Sequence, residues 1–308
     1  MRSLRELNID FMGPRRPAIG VSLVLVVASL ISLAVQGLNY GLDFTGGTLV
    51  EVTFEAPANP EDVRMTLETG GFADGVVQNF GTERDVLIRM PPQQGREQAT
   101  LGNANGDALA ARYEGVKLQR IEFVGPAVGE ELRESGGIAM LVSFASVLIY
   151  IMFRFTGKFA ISSVVALIHD VIVTLGAFSI FQWSFDLPGL AAVLAIIGYS
   201  INDTIVIFDR VRENFPLMRR ATPVETINAS LNQTLDRTIG TATSTLLVLV
   251  SLAVLGGDVV LGFALALIVG VTVGTYSTVY VAANLLVVLG ISREDMLIPE
   301  KDKAQSAP

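Results

Sequence analysis

No charged residue lies between Arg16 and Asp43, and five later stretches of similar length carry almost none. A helix of about 20 apolar residues spans the hydrocarbon core of a bilayer. In hydrocarbon every backbone polar group must be satisfied within the segment, so such runs fold as helices. The runs fall at 18–37, 136–153, 159–181, 189–208, 238–255 and 259–289. With 51% hydrophobic residues and a mean hydropathy of +0.53, the expected class is a membrane all-α protein of six transmembrane helices. Residues 1–17 contribute Arg2, Arg5, Arg15 and Arg16 ahead of the first run. That arrangement, with Ser32-x-Ala34, imitates a signal peptide. The run exceeds the about 7–15 apolar residues of a cleavable core, so it reads as a retained span.

Residues 38–135 are too polar for the bilayer and hold sixteen acidic against eight basic residues, so the whole net charge of −8 sits there. An acidic insert lacks the basic face that a nucleic-acid partner requires. Its pattern is that of a small α+β domain. Thr48–Glu55 alternates as a half-buried strand does. Asn59-Pro60 opens a helix, with Asn as cap and Pro at the first helical position, and Gly70-Gly71 ends it. Val76–Phe80 and Arg84–Met90 read as strands around a short Gly-Thr-Glu turn. Gln93–Tyr113 reads as a helix weakened by Gly102 and Gly106, and Val116–Val124 as a final strand. The order βαββαβ predicts an extracytoplasmic ferredoxin-like domain inserted between helices 1 and 2. Gly41–Thr48 is glycine-rich, follows no predicted strand and opens no predicted helix. It suits a tight turn from membrane into domain rather than a phosphate loop.

Lys and Arg occur before the first span, after the second and fourth, and in the 290–308 tail, but not at 182–188 or 256–258. The positive-inside rule then puts both termini in the cytoplasm and the acidic domain outside. The fourth span ends in charge at Asp209, Arg210, Arg212 and Glu213, and 209–237 reads as a cytoplasmic loop with an amphipathic helix. Thr222-Pro-Val-Glu225 is a capping box. Ile227, Leu231, Leu235 and Ile239 recur every four residues behind it, as on a helix lying along the membrane surface. In the sixth span Gly262, Ala266, Gly270, Gly274, Thr278 and Ala282 form a small-residue ladder that favours close helix packing.

Ionisable residues inside the spans carry the functional argument. An aspartate at the centre of a spanning helix costs about 2.5–3.5 kcal/mol on insertion scales. Asn202-Asp203 interrupts the fourth span, and Arg237 stands at the start of the fifth. By helix rise Asp203 lies about 9 Å inside the Asp209 boundary, within reach of an arginine side chain. Such a pair would hold the carboxylate ionised, and withdrawal of Arg237 would favour proton uptake. A structural hydrogen bond for Asp203 and an interfacial anchor for Arg237 are the plainer alternatives. Thr241 and Thr245, a turn apart above Arg237, either line a watery path or bond back to their own helix. His169 and Asp170, midway through the third span, are candidate relays or helix–helix hydrogen bonds. No catalytic triad, phosphate loop or metal-spaced cluster appears. With no cysteine in the chain, thiolate chemistry is excluded. The expectation is therefore no enzyme, no cofactor and no metal.

Four motifs carry a family resemblance: Gly41-Leu-Asp-Phe-Thr-Gly-Gly-Thr48, Val124-Gly-Pro-x-Val-Gly-x-Glu-Leu132, Ile168-His-Asp-Val171 and Tyr199-Ser-x-Asn-Asp-Thr-Ile-Val206. Together they resemble the SecD/SecF family of bacterial protein-export membrane proteins, within the resistance-nodulation-division superfamily. The resemblance covers nearly the whole chain, but no family motif falls between residues 55 and 115. It implies an inner-membrane location and pairing with SecD into a twelve-span unit. It also implies docking to the SecYEG channel, YajC as a companion, and unfolded preproteins as substrate. It further implies that proton motive force drives late export, with the intramembrane Asp and Arg, here Asp203 and Arg237, as coupling residues. A passive scaffold for SecD, or half of a small-molecule or lipid exporter, are the competing expectations.

Overall fold

The computed structural model describes residues 8–72, 75–80, 82–92, 98–155 and 157–296. It divides into two compact units, one drawn from the chain up to Leu38, Val142–Trp183 and Ala191 onward, the other from Asn39–Leu141 and Ser184–Leu190.

The second unit holds a four-stranded antiparallel sheet. Strand β2 (Gly47–Thr53) lies between β4 (Thr82–Met90) and β5 (Lys117–Val124), and β3 (Val76–Phe80) pairs with β4 on the far side. Helices α3 (Pro60–Thr69) and α4 (Gln98–Ala110) complete the βαββαβ order. The predicted residues 93–97 at the front of α4, and Gly81 of the β3–β4 turn, lie outside the described residues. Alternate residues of β2 point inward, and Val50, Val52, Val86 and Ile88 meet Val63, Leu67 and Leu109 in a fully buried core. Asn59 caps α3 by accepting the Glu61 amide at 3.0 Å.

The glycine motif departs from its reading as a plain turn. A two-residue strand, β1 (Asn39–Tyr40), pairs in parallel with β6 (Ser184–Phe185), and Leu42–Thr45 makes one helical turn, α2. Local propensity could not show this pairing, because its partner lies more than 140 residues away in the sequence. Gly46 (φ +66°) and Gly47 (φ +119°) then turn the chain into β2. A Cβ on Gly47 would sit 2.3 Å from the Met90 carbonyl oxygen, so only glycine fits. Arg89 donates to the Tyr40 carbonyl and to Ser184 Oγ, both at 3.1 Å, tying β4 to this small sheet. Burial lowers the Arg89 pKa and raises that of Asp186 despite the attraction between them.

Six helices are long and apolar enough to cross a membrane: α1 (Arg15–Val35), α5 (Pro126–Arg154), α6 (Lys158–Phe181), α7 (Leu187–Leu217), α8 (Pro223–Leu255) and Val260–Val288. The last comprises α9 (Asp258–Ser277), a π-helical turn at Thr278–Ala282, and α10 (Ala283–Val288). Within the first unit α6 and α7 are the most enclosed, while α1 and α8 expose most of their apolar surface.

One expectation fails around residues 209–237. The charged end of the fourth span is no loop: α7 continues to Leu217, leaving a short 218–222 connection. Arg154 pairs with Asp209, and Arg210 with Glu213 at 2.9 Å, so the charges are satisfied on the helix. Val211 and Phe215 keep facing the core with Phe208, Phe155 and Phe159. The helix that carries the amphipathic stripe leads straight into the fifth span. Thr222 and Glu225 form the capping box, and α8 runs unbroken from Pro223 to Leu255. Ile227 and Leu231 pack into the same core as Phe215.

An amino-terminal strap closes this end. Asn228 and Asn232, one turn apart on α8, grip the Ile9–Met12 backbone. Asn232 Oδ1 accepts the Ile9 amide at 2.8 Å, Asn228 Oδ1 accepts the Phe11 amide at 2.8 Å, and both side-chain amides donate to the Ile9 carbonyl. Met12 is sealed into the core.

Candidate functional site

Two polar centres lie inside the helical unit. The first gathers on Asp170, which is 0% exposed. Ser200 Oγ of α7 and Ser277 Oγ of α9 donate to its Oδ2 at 2.5 and 2.7 Å, and His169 Nδ1 lies 2.9 Å from its Oδ1. Adjacent helical residues normally face different ways, yet His169 folds back onto its neighbour. Its Nε2 is buried without a partner, as is Thr174 Oγ1 one turn beyond Asp170. The partners Ser200 and Ser277 were not singled out in the sequence. Serines in apolar helices carry no mark that separates donors from back-bonded ones.

The second centre surrounds Asp203, 2% exposed, whose Oδ2 meets no hydrogen-bond donor. The neighbouring Thr204 bonds to the Ser200 carbonyl at 3.3 Å and to Thr278 Oγ1 at 3.3 Å, and Thr278 donates to the Gly274 carbonyl at 2.8 Å. A row of buried hydroxyls thus runs from Asp170 to the residue beside Asp203. It ends at the π-helical turn of the sixth span, a feature that often marks functional sites.

Arg237 is exposed and forms no ion pair with Asp203 among the described residues. Its charge is close enough to act on that carboxyl. The expected pairing is therefore an approach without contact. Thr241 follows the back-bonding alternative, donating to the carbonyls of Arg237 and Thr238. Tyr199, one turn before Asp203, is a member that the sequence did not reveal. Its hydroxyl faces Thr241, Thr245 and Thr275, but at angles or distances that make no hydrogen bond. Its spacing of four from Asp203 was the available signal. Thr238 Oγ1 is likewise buried without a partner. Asn202 is exposed on another face of α7, apart from both centres. Among the described residues no cluster of His, Asp and Glu could hold a metal.

Ionisable groups buried in helices long and apolar enough to cross a membrane, in a chain that also carries an α+β unit, define a polytopic membrane protein. Residues 105–292 match the family described as protein export membrane protein SecD/SecF, C-terminal, and residues 31–58 match the SecD/SecF GG motif. The chain belongs to the SecD/SecF family. It is similar to protein translocase subunit SecF of Pseudomonas aeruginosa, with 50% identity over 98% of each chain. It also resembles the Escherichia coli O157:H7 subunit of that name, at 43% identity over 96% of this chain and 92% of the other. Among solved structures it resembles SecDF of Thermus thermophilus, a translocon-associated membrane protein, with TM-score 0.84, 38% identity and 94% of this chain covered. A SecDF structure in a super-membrane-facing form gives TM-score 0.69 at 38% identity, covering 98% of this chain. The chain spans 40% of the length of either SecDF chain.

Proposed function

We propose that this chain is a multi-pass inner-membrane subunit of a Sec protein-export machine, partnered by SecD, that couples proton motive force to late translocation of unfolded preproteins. In this reading the βαββαβ unit is a ferredoxin-like domain outside the membrane. Both termini lie in the cytoplasm, and SecYEG and YajC are the neighbours. The domain limits are those of the apolar runs, and no enzymatic step is involved. Support comes from full-length relatives named as translocase subunits and from the structural likeness to SecDF.

One observation carries the proton reading: Asp203 is buried in a spanning helix with one carboxyl oxygen unpartnered, while Arg237 stands near but unpaired. A carboxyl so placed can change protonation without breaking a bond. Each proton that falls through the membrane potential delivers about 2.3 kcal/mol per 100 mV. Approach and withdrawal of Arg237 is the two-state element that this energy biases. Tyr199, Thr241 and Thr245 line the carboxyl's approach, and the Asp170–His169 centre is the relay or brace behind it.

The test is export under proton motive force with Asp203→Asn. Export should fall to the level of cells lacking the subunit, while the complex with SecD assembles normally. Wild-type export by that variant would leave a passive scaffold, a reading that the close packing of Gly270 and Gly274 favours.

A further inference from the structure

The connection between α6 and α7 is not a free loop: Ser184–Leu190 falls in the α+β unit. Backbone contacts hold it there. Asn39 and Tyr40 of β1 pair with Ser184 and Phe185 of β6, and the Gly41 amide donates to the Phe185 carbonyl at 2.8 Å. A Cβ on Gly41 would sit 2.8 Å from Asp186 Cβ, so this close approach requires glycine. Tyr40, Phe44 and Phe185 pack ring against ring around the joint, and Phe44 and Phe185 are buried.

Three partly buried charged side chains share this joint, and their signs do not balance. Asp43 Oδ2 accepts the Leu187 amide at 2.9 Å, and Asp186 Oδ1 accepts the Gly189 amide at 2.8 Å. Both carboxylates therefore face the first turn of α7. The charges that act on Asp186 are Asp43 and Arg89. Arg89 donates to neutral oxygens, the Tyr40 carbonyl and Ser184 Oγ, and makes no ion pair with either carboxylate among the described residues. One negative charge is left over. Burial is the main influence that raises the Asp186 pKa, and the Asp43 charge adds to it, against the Gly189 amide and Arg89.

We propose that β1, β6 and these three side chains form a proton-tightened clasp, in which a proton taken up at Asp186 removes the surplus negative charge and holds the α6–α7 connection more firmly on the α+β domain. Opening the joint returns Asp186 to water and to the ordinary carboxyl pKa of about 3.9. The closed joint binds the proton more tightly, so closure strengthens as pH falls through the higher, closed-state value toward about 3.9. This titration belongs to the joint itself and does not rest on proton coupling. Only its physiological side rests on the domain lying outside, where proton motive force accumulates protons.

The experiment uses the full chain with SecD in lipid nanodiscs. Hydrogen exchange is resolved to single amides and corrected for the intrinsic rate at each pH. Between neutral pH and about pH 4, protection of the Gly41 and Leu187 amides should rise relative to the amides of β5. The rise is at most about tenfold per pH unit, the limit for one proton. Asp186→Asn, which keeps a capping acceptor for α7, should hold that protection high and flat. Asp43→Asn keeps an acceptor for the Leu187 amide but removes the neighbouring charge, so the rise should begin at lower pH. A wild-type profile that stays flat or falls would overturn the proposal. So would an unchanged rise in Asp186→Asn, which would assign the proton to another group, or a rise in Asp43→Asn that begins where the wild type's does.

Discussion

Asp170 and Asp203 show how differently two buried aspartates can be held. Asp170 meets three donor groups from three helices, and Asp203 keeps an oxygen free. The first is expected to be mainly architectural. Ser277→Ala removes one donor and should cost about 0.6 kcal/mol, the average for polar contacts between membrane helices, and at most about 1.7 kcal/mol. Asp170→Ala strands His169, Ser200 and Ser277 together and should cost about 3–5 kcal/mol. Unfolding by denaturing detergent would rank them, and equal costs would mean that the serines carry the centre alone. A surface aspartate gives a second prediction. Asp85 accepts from Thr53 at 2.6 Å and from Thr82 at 2.5 Å, which hold its pKa below the ordinary value. Its contribution is therefore present above the unfolded pKa of about 3.9 and is lost as pH falls through the lower folded value. Amide protection of β2 and β4, corrected for intrinsic exchange, should drop below about pH 4, and Asp85→Asn should blunt that drop.

Elements were legible where their signals are local. The capping box at Thr222, the cap at Asn59 and the alternation of β2 all appear where the residues put them. Six apolar runs gave six helices, because hydrocarbon leaves few alternatives. What the residues could not show depends on neighbours far away in sequence. Helix α7 continues through Asp209 because Arg154 answers it from another helix. The β1–β6 pairing joins residues on either side of two spans. Tyr199 and Ser200 matter only because α8 and α6 pack against them. The small-residue ladder of the sixth span predicts close packing, and its energetic consequence is specific. A Cβ on Gly270 would lie 2.2 Å from Ile196 Cδ1, on a side chain buried at 1%. Gly270→Ala should force α9 from α7 and cost about 1–3 kcal/mol. The thermal midpoint of the purified chain reads this directly, and an unchanged midpoint would show that Ile196 can turn aside.

For the whole molecule, the side chains left facing outward matter most. Asn202 is exposed in the middle of α7, next to buried Asp203. A polar amide facing lipid is costly, so in the assembled exporter a partner's helix should cover it. The chain has no cysteine, which makes Asn202→Cys a unique reporter. It should cross-link to SecD in membranes and be shielded from maleimide only when SecD is present. Labelling that ignores SecD would place the subunit contact on another face.

The grip of two asparagines on Ile9–Met12 has a practical corollary. Their amides imitate a strand edge, so residues 9–12 ahead of the first span are moored to the fifth helix. Any motion of the fifth helix is then passed to the place where the chain enters the bilayer. Truncation beyond Ile9 would cut that tether and loosen two spans together.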